Sequence, residues 1–119
     1  MSWTLVIADD EQPLRRLLRI LVERDGRFTV VGEAADGAQA LELIDEHDPD
    51  LLLLDLGLPE LDGLQVLERL ASADRPRTVV LTGFDDAPTH RRAMQLGASR
   101  CLVKGRDFAE VVPSLRDAI

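Results

Sequence analysis

The chain has 119 residues, 45% of them hydrophobic and 30% charged, a make-up that suits one globular domain with a real core. Its 22 acidic side chains outnumber 14 basic ones, and the formal net charge of −8 repels phosphate backbones, so no nucleic acid is expected to bind to this domain by itself. A single cysteine, Cys101, excludes an internal disulfide and points to the reducing cytoplasm; no apolar run approaches the roughly 20 residues of a membrane span, and the N-terminus lacks a signal-peptide pattern.

Trp3 to Ala8 is apolar and β-prone, and it runs into Asp9-Asp10. Pro13 suits a first helical turn, and Leu14, Leu17, Leu18 and Leu21 come after it at the spacing of one helical face. Gly26 stops that helix. Thr29 to Ala34 reads as a second strand, and Ala38 to Asp45 as a second helix with Leu41 and Ile44 on one side. Leu51 to Asp55 reads as a short strand buried on both faces, as in a parallel sheet. Gly57, Pro59 and Gly63 punctuate the segment after Asp55, so the strand stops there. A third helix is predicted from about Leu64 to Ala71, burying Leu64, Leu67 and Leu70. Thr78 to Thr82 is a fourth strand. Asp85 or Asp86 caps a fourth helix that has Pro88 in its first turn and ends near Gly97. Arg100 to Val103 is a short fifth strand, with Lys104 directly after it. Phe108, Val111, Val112, Leu115 and Ile119 form an apolar stripe on a fifth helix.

Strand–helix alternation of this kind predicts an α/β domain spanning residues 1–119, with a parallel sheet and helices on both faces. The flavodoxin-like (βα)5 order 2-1-3-4-5 suits five strands of this size. In that order the first and third strands end side by side, and ligands bind at such a switch point. Asp9, Asp10 and Asp55 then share one pocket. Like charges this close raise each other's pKa unless a cation sits among them. Three carboxylates and a backbone carbonyl suit a hard divalent ion such as Mg²⁺. Thr82 and Lys104 join the same rim from the fourth and fifth strands. A nucleophilic carboxylate, a metal site, a hydroxyl and an ammonium fit phosphoryl transfer, where positioning and charge neutralisation do most of the work. Each residue alone has a plainer reading: Asp55 as a turn former, Asp9-Asp10-Glu11 as an acidic helix start, Thr82 as a strand-end residue, Lys104 as a solvated charge.

The constellation resembles the receiver domain of two-component response regulators over the whole chain. The matching motifs are Asp9-Asp10, Asp55 with Leu58-Pro59 and Asp62-Gly63, Thr82-Gly83, Gly97-Ala98, and Lys104. The resemblance implies that Asp55 accepts a phosphoryl group from a phosphohistidine of a sensor histidine kinase. Asp10 and Asp55 would bind Mg²⁺ directly, with Asp9 acting through water and the carbonyl of Gly57 completing the protein ligands. Thr82 would hydrogen-bond the acyl phosphate, and Lys104 would pair with a phosphate oxygen. Such a domain is a phosphoacceptor with self-phosphorylation and autodephosphorylation chemistry, not an enzyme in its own right. Homodimerisation on phosphorylation belongs to the same expectation.

The chain departs from the family pattern at two positions. Receivers usually carry an aromatic or His three residues before the lysine, and here that residue is Cys101. Many have a cis proline after the lysine, and here it is Gly105, so a trans bond is expected. Cys101 reads as a small buried residue, and His47 and His90, which lack ligand spacing, as solvated surface groups. The motif of a P-loop, the Gly-rich turn of a dinucleotide-binding module and the Asp-x-Asp of a haloacid-dehalogenase phosphatase are all absent. The alternatives are a receiver-like interaction module that is never phosphorylated, and a stand-alone relay receiver. Val31 to Gly37 looks like receivers attached to LuxR-type helix-turn-helix domains, so a DNA-binding output domain beyond Ile119 and control of transcription are expected.

Overall fold

The structure is a computed structural model and describes residues 2–119. Five strands, β1 (Trp3–Ala8), β2 (Phe28–Ala34), β3 (Leu51–Leu54), β4 (Arg77–Thr82) and β5 (Arg100–Val103), form one sheet. All pairings are parallel and the order is β2-β1-β3-β4-β5. The flavodoxin-like (βα)5 architecture expected from the alternation is therefore the one observed. The helices are α1 (Gln12–Arg24), α2 (Gly37–His47), α3 (Gly63–Leu70), α4 (Ala87–Gln95) and α5 (Val111–Ala118).

Period-two alternation sorts the strand side chains into two cores. Leu5, Ile7, Leu51, Leu53, Val79 and Leu81 face α1 and α5. Val6, Ala8, Leu52, Leu54 and Val80 face α2, α3 and α4. All four leucines of β3 are buried because the central strand is covered on both sides.

Several boundaries differ from the sequence reading. Asp55 lies just past β3 rather than inside it. α2 starts at Gly37, because Asp36 caps it by accepting from Gln39 N–H. α3 starts at Gly63, and Asp62 and Gln65 form a reciprocal capping box. Asp86, of the two candidates, caps α4. The last helix enters through a 3-10 turn, Phe108–Glu110, before α5 proper.

Two expected core positions are on the surface. Leu17 is 51% exposed, because α1 buries Leu18 and Val22 and turns its Leu17 side outward. One helix resting on one sheet face has room for a single stripe, and Leu17 lies a quarter turn off it. Ile119 comes after the last turn of α5 and is 44% exposed, while Ala118 and Ser114 fill the contact instead.

Candidate functional site

Backbone hydrogen bonds stitch the carboxyl ends of the strands together. Asp9 N–H donates to Ala34 O at 2.9 Å, Asp55 N–H to Ala8 O at 3.0 Å, and Lys104 N–H to Thr82 O at 2.8 Å. The sheet ladder thus continues one residue past β1, β3 and β5 and brings the functional side chains to a common edge. Asp9 and Asp55 are buried, Thr82 is fully buried, Lys104 is half-buried and Asp10 is exposed.

The loop after Asp55 is held from both sides. Leu56 and Leu58 are buried, Gly63 N–H donates to Leu56 O at 3.0 Å, and Gly37 N–H donates to Pro59 O at 3.3 Å. A Cβ on Gly63 would stand 2.4 Å from Asp55 O, and one on Gly37 would stand 1.9 Å from Leu61 O. Only glycine permits these approaches, so both glycines fix the loop that carries Asp55 and Gly57.

Lys104 Nζ lies 2.9 Å from Asp9 Oδ2 and 2.9 Å from Asp55 Oδ2, with Glu11 Oε1 at 3.4 Å. Asp9 Oδ1 accepts from Glu11 N–H at 2.8 Å, and Asp55 Oδ1 accepts from Gly57 N–H at 3.2 Å. Burial pushes the Asp9 carboxyl above its ordinary value, and the Glu11 N–H and Lys104 offset only part of that. Burial also works against the Lys104 charge, but hydrogen bonds to Asp55 and Asp9 outweigh it and hold the ammonium above the ordinary lysine range.

One carboxylate oxygen from each of Asp9, Asp10 and Asp55 lies within 4.8 Å of the others. Lys104 is the one cation paired with these carboxylates and it also meets Glu11, so the site keeps a net negative charge. A divalent cation offsets that charge, and an all-oxygen donor set suits a hard ion. The residues present therefore fit a metal of the Mg²⁺ class. A cleft of 350 Å³ opens above them, lined by Asp10, Glu11, Asp55, Gly57, Thr82, Gly83, Phe84 and Lys104.

Thr82 Oγ1 accepts from Phe84 N–H at 3.4 Å, which leaves its own proton free to donate into the cleft. Phe84 O in turn meets His90 Nε2 at 2.6 Å. His90, at the start of α4, is thus half-buried, and it is a surface group with one main-chain partner six residues before it in the chain. His47 stays exposed. Cys101 is half-buried and unpaired, and burial pushes its thiol up to about 11, so it is protonated and unreactive at neutral pH. Lys104–Gly105 is trans, as expected, since the cis peptide bond among the described residues is Arg75–Pro76.

Three participants were not singled out from the sequence. Glu11 reaches Lys104, Phe84 lines the cleft, and Arg15 Nη1 donates to the Asp9 carbonyl at 2.7 Å. Glu11 adjoins the acidic pair and Phe84 comes two residues after Thr82, so adjacency was the available signal for both. Nothing in the local pattern marks Arg15, whose partner is a main-chain atom.

Residues 5–116 match the family model of the response regulator receiver domain. The chain is 40% identical over 110 residues to the transcriptional regulatory protein YhcZ of Bacillus subtilis, covering 91% of this chain and 51% of that protein. It is 35% identical over 115 residues to the transcriptional regulatory protein PdtaR of Mycobacterium tuberculosis, covering 97% of this chain and 56% of that protein. The chain thus spans about half the length of the curated relatives it matches. A two-component response regulator of the LuxR family from Aurantimonas superposes with a TM-score of 0.90 at 30% identity, over 98% of this chain and 84% of that one. No helix among the described residues is long and apolar enough to cross a membrane.

Proposed function

We propose, from the premise that this chain belongs to the response regulator receiver domain family, that Asp55 is its phosphoacceptor in a Mg²⁺-dependent phosphorelay. The observation that carries the reading is the Lys104 ammonium held 2.9 Å from both Asp9 and Asp55 at the floor of an open cleft. A nucleophilic carboxylate is thereby fixed beside a cation that can follow the charge of an arriving phosphoryl group.

In the proposed step a carboxylate oxygen of Asp55 attacks phosphorus, the phosphorus–nitrogen bond of the donor phosphohistidine breaks, and the leaving imidazole keeps the electron pair. Gly57 N–H, bonded to Asp55 Oδ1, orients the nucleophile. Lys104 and the Thr82 hydroxyl donate to phosphoryl oxygens. Asp10, Asp55 and the Gly57 carbonyl would hold Mg²⁺, with Asp9 acting through water. When bound, the ion supplies charge neutralisation for the phosphoryl oxygens.

The donor is a sensor histidine kinase, and the setting is the cytoplasm. The transcriptional names of the relatives, and their length, support control of transcription through a DNA-binding segment outside residues 1–119, with homodimerisation on phosphorylation as the coupling. The test uses a small acyl-phosphate donor with Mg²⁺ and intact-mass spectrometry. Wild type should gain one phosphoryl group and Asp55→Asn none. Equal labelling of the two proteins would sink the assignment to Asp55, and no labelling of either would leave the unphosphorylated interaction module in its place.

A further inference from the structure

The acidic pair is gripped from behind the cleft as well as within it. Arg15, in the first turns of α1, donates from Nη1 to Asp9 O at 2.7 Å and from Nε to Glu33 Oε1 at 3.2 Å. Glu33, on β2, also accepts from Arg19 Nη1 at 2.8 Å through its second oxygen. The Arg15 side chain is only 13% exposed, so the guanidinium is packed in place. Its planar fork joins β2 to the peptide between Asp9 and Asp10.

That peptide is planar, so the direction of the Asp9 carbonyl also sets the plane of the Asp10 N–H. The Asp9 carboxylate has its own anchors in Glu11 N–H and Lys104. Asp10 makes no ion pair among the described residues, so the backbone beneath it decides where its carboxylate points. We infer that Arg15, braced by Glu33, is a positioning residue that sets the Asp9–Asp10 peptide and aims the Asp10 carboxylate at a divalent cation. This rests on the metal reading of the site given above.

The sign of the effect separates positioning from simple electrostatics. Arg15 is a cation close to a cation site. By Coulomb's law alone, removing it strengthens binding of a divalent ion. Loss of positioning weakens binding, by about tenfold for a group that orients a ligand. Arg19 supplies the control, because Arg19→Gln removes an equal charge and another Glu33 partner but leaves the bond to Asp9 O intact.

The experiment titrates Mg²⁺ alone into the 119-residue chain and its Arg15→Gln, Arg15→Lys and Arg19→Gln variants, with backbone amide spectra recorded in parallel. Arg15→Gln should weaken Mg²⁺ about tenfold and move the Asp10 and Glu11 amides while the β3 and β4 amides stay put. Arg15→Lys keeps the charge but lacks the fork, and should recover only part of the affinity. Arg19→Gln should stay within about twofold of wild type, as for a partly exposed ion pair. Unchanged or tighter binding by Arg15→Gln overturns the inference, as does equal weakening by Arg19→Gln. Should Arg15→Gln fail to fold, Arg15→Lys decides, and wild-type affinity in that variant overturns it. A wild type that does not bind Mg²⁺ removes the metal reading and this inference with it, whereas wild-type binding with an unaffected Arg15→Gln removes the inference alone.

Discussion

Lys104 Nζ sits 2.9 Å from Asp55 Oδ2 across 49 residues of sequence, and both side chains are largely shielded from water. The pairing exists because β3 and β5 each flank β4 and both end at the same edge of the sheet. It leaves Asp55 with one oxygen on an ammonium and the other on a backbone N–H.

Lys104→Met should therefore leave two buried carboxylates without their cation. Unfolding in urea at neutral pH should show a loss of about 3 kcal/mol, the scale for breaking a buried ion pair from one side. Mg²⁺ should restore more stability to this variant than it adds to wild type, because it supplies the missing positive charge. Unchanged stability would mean that water already screens the site.

Asp10 and Asp9 should differ as metal ligands. Asp9 is committed to Lys104 and Glu11 N–H, while Asp10 is exposed and makes no ion pair among the described residues. In titration calorimetry Asp10→Ala should weaken Mg²⁺ more than Asp9→Ala. If both variants bind like wild type, the acidic cluster is not the metal site.

Two glycines of the Asp55 loop make a paired test. Gly63→Ala would place a Cβ 2.4 Å from Asp55 O and 2.5 Å from Leu56 Cα, both backbone atoms that cannot swing aside. A loss of about 1–3 kcal/mol is expected, together with slower labelling of Asp55. Gly57→Ala meets nothing closer than 3.5 Å, at Phe84 Cε2, and should fold like wild type. Comparable thermal unfolding of the two variants would contradict the packing argument.

The Arg19 and Arg15 hydrogen bonds hold the Glu33 carboxyl below its ordinary value near 4.5. A folded-state pKa below the unfolded one gives stability that is present above the unfolded value and is lost as pH falls through the folded value. Arg19 is 43% exposed, so solvent screening keeps the gain below about 1 kcal/mol. Glu33→Gln should be less stable than wild type at pH 7, and the gap should close in acid below the ordinary glutamate value. A gap that persists undiminished at pH 2 would point to packing instead of charge.

Cys101 stands three residues before Lys104, where the family resemblance leads one to expect an aromatic or His, and it packs partly against the second core. The contacts that differ between two states set how far a ligand shifts their populations. Without a ring, the change on phosphorylation should run through Thr82, Phe84 and His90 into α4. Backbone amide shifts with and without a beryllofluoride phosphoryl mimic measure this. Cys101→Tyr should enlarge the response. A large wild-type rearrangement around Cys101, to which Tyr adds nothing, would rule the idea out.

The sequence by itself determined the alternation of strands and helices, the two-sided burial of Leu51 to Leu54, and the acids and the lysine at strand ends. Those features are local: side-chain period reflects backbone geometry, and a run of four leucines has no stable place except inside. Only the tertiary structure decided the partners. Leu17 and Leu18 are chemically identical neighbours, and the single stripe that α1 can bury separates them. Arg15 and Arg16 look alike in the sequence, yet only Arg15 lies where its fork spans Glu33 and the Asp9 carbonyl. A hydrogen bond or ion pair forms within about 3 Å, and which groups come that close depends on strand order, register and helix rotation together. These are properties of the assembled sheet, and no local pattern of residues encodes them.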